Sequence, residues 1–211
     1  TRRRCSAIIA GSIDTLEHEP AWVRDRAFHI PENAIDPSRF TVHRTPRTID
    51  DLRIVFVGRL VPYKGCDILL EAALPMLRDG RARLTIVGDG PQRADLESIV
   101  RREGLEQQVA FRGWVAHEHV ASTIAEADLF AFPSIREFGG AVAIEAMAVG
   151  TPPMVVAYGG LAETVTEDEG FPIPIGSRSE LVERFRGRLE EILDDPGIID
   201  RKGQAGRCRV D

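Results

Sequence analysis

Cysteine is scarce in this sequence. There are three in 211 residues, Cys5, Cys66 and Cys208, odd in number and far apart. That excludes a disulfide framework and fits reduced thiols in a cytoplasmic protein. Metal-ligand spacing is lacking as well, and "HEH" at 117–119 reads as exposed residues opening a helix. No apolar run approaches the roughly 18–20 residues of a bilayer-spanning helix. "SAIIAG" is too short for the apolar core of a signal peptide. Positive charge is not in excess either. A net charge of −6 gives no electrostatic reason to expect a nucleic-acid binder, and "TRRRC" and the "RRE" at 101–103 read as solvated surface.

What is present suits one large soluble domain, or one domain with an appendage. From residue 53 onward short apolar strands alternate with helical patterns. The strand candidates are 53–58, 83–88, 108–113, 128–134, 153–157 and a weaker 170–173. Several are continuous Val, Ile, Leu and Phe runs, as expected of strands covered on both faces. Helices are expected over 65–79, 91–103, 117–126, 140–149 and 178–194, with Pro75 kinking or ending the first. This order predicts an α/β fold, a doubly wound parallel sheet of Rossmann-like form. Residues 1–52 differ: one strand in "SAIIAGS", a short helix in "LEHEPAWVRD", then a linker rich in Pro, Asn and Asp. The end, "RKGQAGRCRVD", is polar and carries no helix-ending signal.

In doubly wound sheets ligands sit beyond the carboxyl ends of the strands. "GRLVPYKG" places Gly58 at a strand end, followed by Arg59 and Lys64 just before a helix. Two cations at a helix amino terminus suit a diphosphate, although surface cations read the same way on composition alone. It is not a Walker A loop, because Gly and Cys rather than Ser or Thr follow Lys64. "VGDGPQR" opens like a dinucleotide fingerprint with Gly88 and Gly90, but Arg93 stands where the third glycine belongs.

"PSIREFGGAVAIEAMAVG" is the most informative segment. Gly139 and Gly140 open a helix with bare backbone amides, and Glu137 stands at its mouth. Glu145 lies inside a helix otherwise built to be buried, where an ionised carboxylate needs a partner. That partner is either a buried Arg or the vicinal hydroxyls of a sugar.

Glu137-x7-Glu145, with "PS" before it and "EAMAVGTP" after it, resembles the retaining GT-B-fold glycosyltransferases of the glycosyl transferases group 1 family. "GRLVPYKG", "LTIVGDGP", "VAFRGWV" and "GGLAE" follow that family's carboxy-terminal domain in order. "HIPENAIDPSRF" is similar to the segment that enters it, and "AIIAGS" to the last strand of the amino-terminal domain. The resemblance implies a division into residues 1–45, the end of the amino-terminal domain plus linker, and 46–211, a nucleotide-sugar-binding domain cut at its carboxy end. It implies a nucleoside-diphosphate sugar as donor, with Arg59 and Lys64 gripping the diphosphate. Glu137 would bind the donor sugar, helped by backbone amides around Phe138, Gly139 and Gly140. Glu145 would take the ribose hydroxyls, and Gly58, Gly88, Gly90 and the stretch Gly113–Val115 would flank the nucleoside. One departure is that the aromatic, Phe138, sits one place earlier than in the family's usual Glu-Gly-Phe-Gly.

The same resemblance implies that acceptor binding and a catalytic His belong to an amino-terminal domain largely missing here, so this chain alone would be inactive. With no Asp-x-Asp at a strand end, neither metal nor cofactor is expected, the two cations meeting the charge of the departing diphosphate. A membrane surface would be reached only by the whole enzyme. Two other readings keep the fold: a nucleotide-sugar epimerase, and a non-catalytic sugar-nucleotide-binding module.

Overall fold

The computed structural model describes residues 2–31, 34–36, 40–137 and 139–210. Six strands form the main sheet: β3 (Leu52–Val57), β4 (Ala82–Val87), β5 (Val109–Gly113), β6 (Leu129–Phe132), β7 (Pro153–Ala157) and β8 (Phe171–Pro174). Their order is β5-β4-β3-β6-β7-β8 and every pairing is parallel. The inner strands are apolar throughout because helices cover both faces. All four residues of β6 are buried, as are the first four of β7. The edge strand β5 relaxes this rule, exposing Ala110 and Arg112. Phe56, Phe130 and Phe132 meet at the centre, with ring centroids 5.7 Å apart in both Phe132 pairs.

The chain winds outward from β3 to β4 and β5, then crosses back to lay β6 on the other side of β3. The order of strands therefore reverses between β3 and β6, and the loops leaving those two strands open the crevice. The covering helices are α3 (Cys66–Arg78), α4 (Arg93–Glu103), α5 (His117–Ala125), α6 (Ala141–Ala148), α7 (Gly160–Thr164), α8 (Arg178–Asp194) and α9 (Gly197–Val210). α3 packs on α8, while α6 packs on α5 and α9.

Pro75 does not end α3. Its missing N–H leaves the Glu71 carbonyl without its helical donor, and Arg186 of α8 donates to the carbonyls of Glu71 (3.3 Å) and Ala72 (3.4 Å). The polar tail is also helical. Gly203 and Gly206 are poor helix formers, but they let α9 lie against α6 and the turn after it: a Cβ on Gly203 would stand 2.3 Å from the Gly150 carbonyl oxygen.

The amino-terminal segment forms a separate two-stranded parallel sheet, β1 (Ile8–Ala10) with β2 (Ala27–His29). Strand β2 lies where a linker was expected. The expected helix is two short ones, α1 (Ile13–Glu17) and α2 (Ala21–Arg24), divided at Pro20, which has extended backbone before α2. An extended strap over residues 40–51 then enters the main sheet. Arg44 fastens it, its backbone N–H donating to Val149 (2.7 Å) and its guanidinium to Gly150 (3.3 Å) and Asp200. At the opposite edge of the sheet from the crevice, fully buried Asp128 accepts from Arg47 (2.7 Å) and from the side chain (3.0 Å) and backbone (2.9 Å) of Arg53. Burial opposes its ionisation, but these hydrogen bonds prevail and hold its carboxyl below the usual range.

Candidate functional site

The loop leaving β3 runs through Gly58, exposed Arg59 and a single 3₁₀ turn, Pro62–Lys64, to Gly65 at the head of α3. Gly65 has φ +72°, and a Cβ there would lie 2.5 Å from the Pro133 carbonyl oxygen, so only glycine lets this loop close on the one after β6. The loop after β4 is fitted against it just as tightly. Gly88, at φ +126°, would direct a Cβ to 1.9 Å from the Gly58 carbonyl oxygen, and Gly90 would direct one to 2.4 Å from that of Leu60. Leu60 donates to the carbonyl of Asp89 (2.9 Å), and Gly88 to that of Gly113 (2.7 Å). Gly88 and Gly90 are thus required for loop-to-loop contact, whatever they contribute to a ligand.

Lys64 and Glu137 meet across the crevice as an ion pair, each side chain less than one-fifth exposed at 17% and 18%. The Lys64 ammonium also lies 5.0 Å from the centroid of the Phe132 ring. The loop carrying Glu137 is anchored to the β3 loop by Ile135 N–H (3.0 Å) and the Ser134 hydroxyl (3.3 Å), both donating to the Tyr63 carbonyl. Phe138 lies outside the described residues. Gly139 is buried, and Gly140 caps α6 at φ +66° with its Cα against Leu161.

Arg59 forms no ion pair among the described residues. It follows β3, as Gly88 and Gly90 follow β4, Val115 follows β5 and Glu137 follows β6. Parallel pairing puts all of these strand ends on one rim. Glu145 is 9% exposed on α6, and its Oε1 stands 3.9 Å from Nε2 of His117, the first residue of α5. The thiol of Cys66, though next to the cations, is buried, and burial pushes its pKa up, so it is no nucleophile. Among the described residues no group of three or more His, Cys, Asp or Glu is arranged to hold a metal ion.

Residues 41–207 match the family model for glycosyl transferases group 1. The chain belongs to that family. It is 30% identical to 2-deoxystreptamine glucosyltransferase of Streptomyces kanamyceticus over 94% of its own length and 55% of the relative's. It is 34% identical to the GDP-mannose-dependent monoacylated alpha-(1-6)-phosphatidylinositol monomannoside mannosyltransferase of Corynebacterium glutamicum, over 95% of this chain and 53% of that one. The crystal structure of Anabaena HepE in complex with UDP and glucose superposes with a TM-score of 0.80 at 22% identity, over 99% of this chain and 59% of that one. The fold is therefore that of a GT-B glycosyltransferase domain, and the chain spans about half the length of the curated relatives it matches.

In this glycosyltransferase domain the structure also draws in residues that motif reading passed over. Glu163, on the short helix α7, accepts from the backbone N–H of Ile13 (2.7 Å) and Asp14 (3.3 Å) at the start of α1, and its other oxygen lies 3.6 Å from His29. It fastens the amino-terminal segment to the sheet domain. The two then face each other across a small cleft of about 150 Å³, with Ser12, Asp14 and Thr15 on one wall and Arg136, Glu137, Tyr158 and Gly159 on the other. A larger cavity of about 550 Å³ beside it is lined by Gly139, Ile144 and Glu163 and by Gly11, Ile13 and His29. Its place after a strand end, in the segment "GGLAE", was the signal for Glu163. What it holds lies 150 residues away.

Proposed function

We propose that the chain is the donor-binding part of a retaining glycosyltransferase that moves a sugar from a nucleoside-diphosphate sugar to an acceptor. The observation that carries the reading is the Lys64–Glu137 pair in the crevice where the order of strands reverses. Lys64 and Arg59 take the diphosphate and stabilise the charge that develops as it departs, a contribution that is often the largest in catalysis. Glu137, with the backbone around Phe138, Gly139 and Gly140, holds the donor sugar. Glu145, the second glutamate of the E-x7-E motif, holds the ribose, with Gly58, Gly88, Gly90 and Val115 around the nucleoside. Fixed cations do the work of a divalent ion, and neither metal nor cofactor takes part.

The acceptor site and the catalytic His belong to an amino-terminal domain of the same enzyme, of which residues 1–45 form the end and linker and 46–211 the donor domain. The two-stranded sheet supports this division. Ile9 and Phe28, paired in register, are 62% and 56% exposed, an apolar face suited to burial against that domain. This chain alone transfers no sugar. The enzyme acts in the cytoplasm, where its thiols stay reduced, reaching a membrane surface only as the whole protein. Among the described residues no helix is long and apolar enough to cross a membrane.

A calorimetric panel of UDP, GDP, ADP and their sugars against the chain tests this reading. At least one nucleoside diphosphate binds. Arg59→Ala and Lys64→Ala each weaken it by about 1.5–3 kcal/mol, the value of a charge-assisted hydrogen bond. Glu145→Ala weakens ribose-containing ligands and reduces discrimination against deoxyribose analogues. A panel in which nothing binds overturns the assignment.

A further inference from the structure

His117 belongs to none of the motifs that mark the donor site, yet its imidazole stands beside the carboxylate assigned to the ribose. Its Nε2 lies 3.9 Å from Oε1 of Glu145. That is too long for a hydrogen bond between the two. It is a suitable span for two neighbouring hydroxyls, one donating to the carboxylate and the other meeting the imidazole nitrogen at about 2.8 Å each. The exposures are complementary. Glu145 has a side chain 11% exposed and held on a helix, whereas His117 is 66% exposed with room for a ligand against its ring. Its place in the chain is equally apt: it opens α5 two residues after Val115, on the rim that also carries Gly88 and Gly90.

We infer that His117 is a nucleoside-binding residue that shares the vicinal hydroxyls of the ribose with Glu145, an assignment that rests on the donor-site reading above. A carboxylate alone accepts from hydroxyls but cannot donate to them. An imidazole beside it supplies the missing donor or acceptor according to its tautomer. The pair distinguishes a ribose from a sugar lacking either hydroxyl more sharply than the carboxylate does by itself, because each hydroxyl is then read by its own group.

The test is calorimetry with the nucleoside diphosphate that binds wild type, its 2′-deoxy and 3′-deoxy analogues, and inorganic pyrophosphate. Against the ribonucleotide, His117→Ala weakens binding about five- to tenfold, the effect of one hydrogen bond, and His117→Gln recovers most of it. Against the analogue lacking the contacted hydroxyl the same substitution changes affinity less than twofold, and pyrophosphate is unaffected. The assignment is overturned if His117→Ala binds the ribonucleotide within twofold of wild type. It is overturned too if the loss is equal for the ribonucleotide and both deoxy analogues, the pattern of a purely structural partner of Glu145. Wild type that binds no nucleoside diphosphate refutes the donor-site reading and this assignment together. Wild type that binds normally beside an unaffected His117→Ala refutes the assignment alone.

Discussion

The ion pair in the crevice makes an unusual prediction: Glu137→Gln binds a nucleoside diphosphate more tightly than wild type, not less. Lys64 and Glu137 are already paired before any ligand arrives. A diphosphate has to draw the ammonium away from the carboxylate, and then lies near that negative charge. At a spacing of about 2.8 Å and an effective dielectric of 20 the gross attraction is about 6 kcal/mol. Most of that is offset by desolvation and side-chain ordering. Exposed pairs are worth about 0.2–1 kcal/mol, whereas removing one member of a fully buried pair costs about 3–5 kcal/mol. Both side chains here are less than one-fifth exposed, which puts the competition at about 1–2 kcal/mol, or roughly five- to thirtyfold in affinity. The glutamine keeps its size and hydrogen-bonding capacity but releases Lys64. For the intact nucleotide sugar the same substitution exchanges one of the two carboxylate acceptors for an amide donor and weakens the hold on the sugar's hydroxyls, so the gain shrinks or reverses. Calorimetry of Glu137→Gln with the nucleoside diphosphate and with its sugar reads both effects. If the variant binds the sugar-free nucleotide no better than wild type, or loses both ligands by one factor, the pair does not gate the diphosphate and the electrostatic argument is wrong.

Arg186→Ala removes the donors that serve the carbonyls beside Pro75, costing about 1 kcal/mol and lowering Tm by roughly 2–4 °C in a thermal melt without changing nucleotide affinity. Asp128→Asn leaves three arginines around an uncharged group and destabilises by about 3 kcal/mol in urea at neutral pH. Because the folded carboxyl is held low, its contribution is present above the unfolded value of about 3.9 and lost as pH falls through the folded one. Urea titrations below about pH 4 therefore show a steeper decline for wild type than for Asp128→Asn. Glu163→Ala releases the start of α1, so trypsin cuts after Arg24 and Arg26 about fivefold faster while the main melting transition stays in place.

The main sheet was legible because its signals are local. Continuous apolar runs mark β6 and β7 and periodic stripes mark α3 and α8, and each observed boundary falls within two residues of its expectation. The misses have particular causes. Strand β2 is three residues long and pairs only with β1, nearly twenty residues earlier in the chain, too short for its periodicity to show. In α9, the poor helix formers Gly203 and Gly206 are explained by what they pack against, the Gly150 carbonyl and Met147. α3 runs on past Pro75 instead of ending there, and Arg186, over a hundred residues later, serves the freed carbonyl.

The site divides along the same line. Its chemistry was written in residue types and spacing: two cations before a helix, two acids eight residues apart, glycines at the strand ends. Which side chains meet was settled only by the return of the chain from β5 to β6, which carries Glu137 to Lys64 across 73 residues and sets His117 beside Glu145. Composition and short-range pattern determine where strands end and what groups those ends carry, because both act over a few residues. Pairing across the crevice depends on the order of strands in the sheet, and that order exists only once the whole chain has packed.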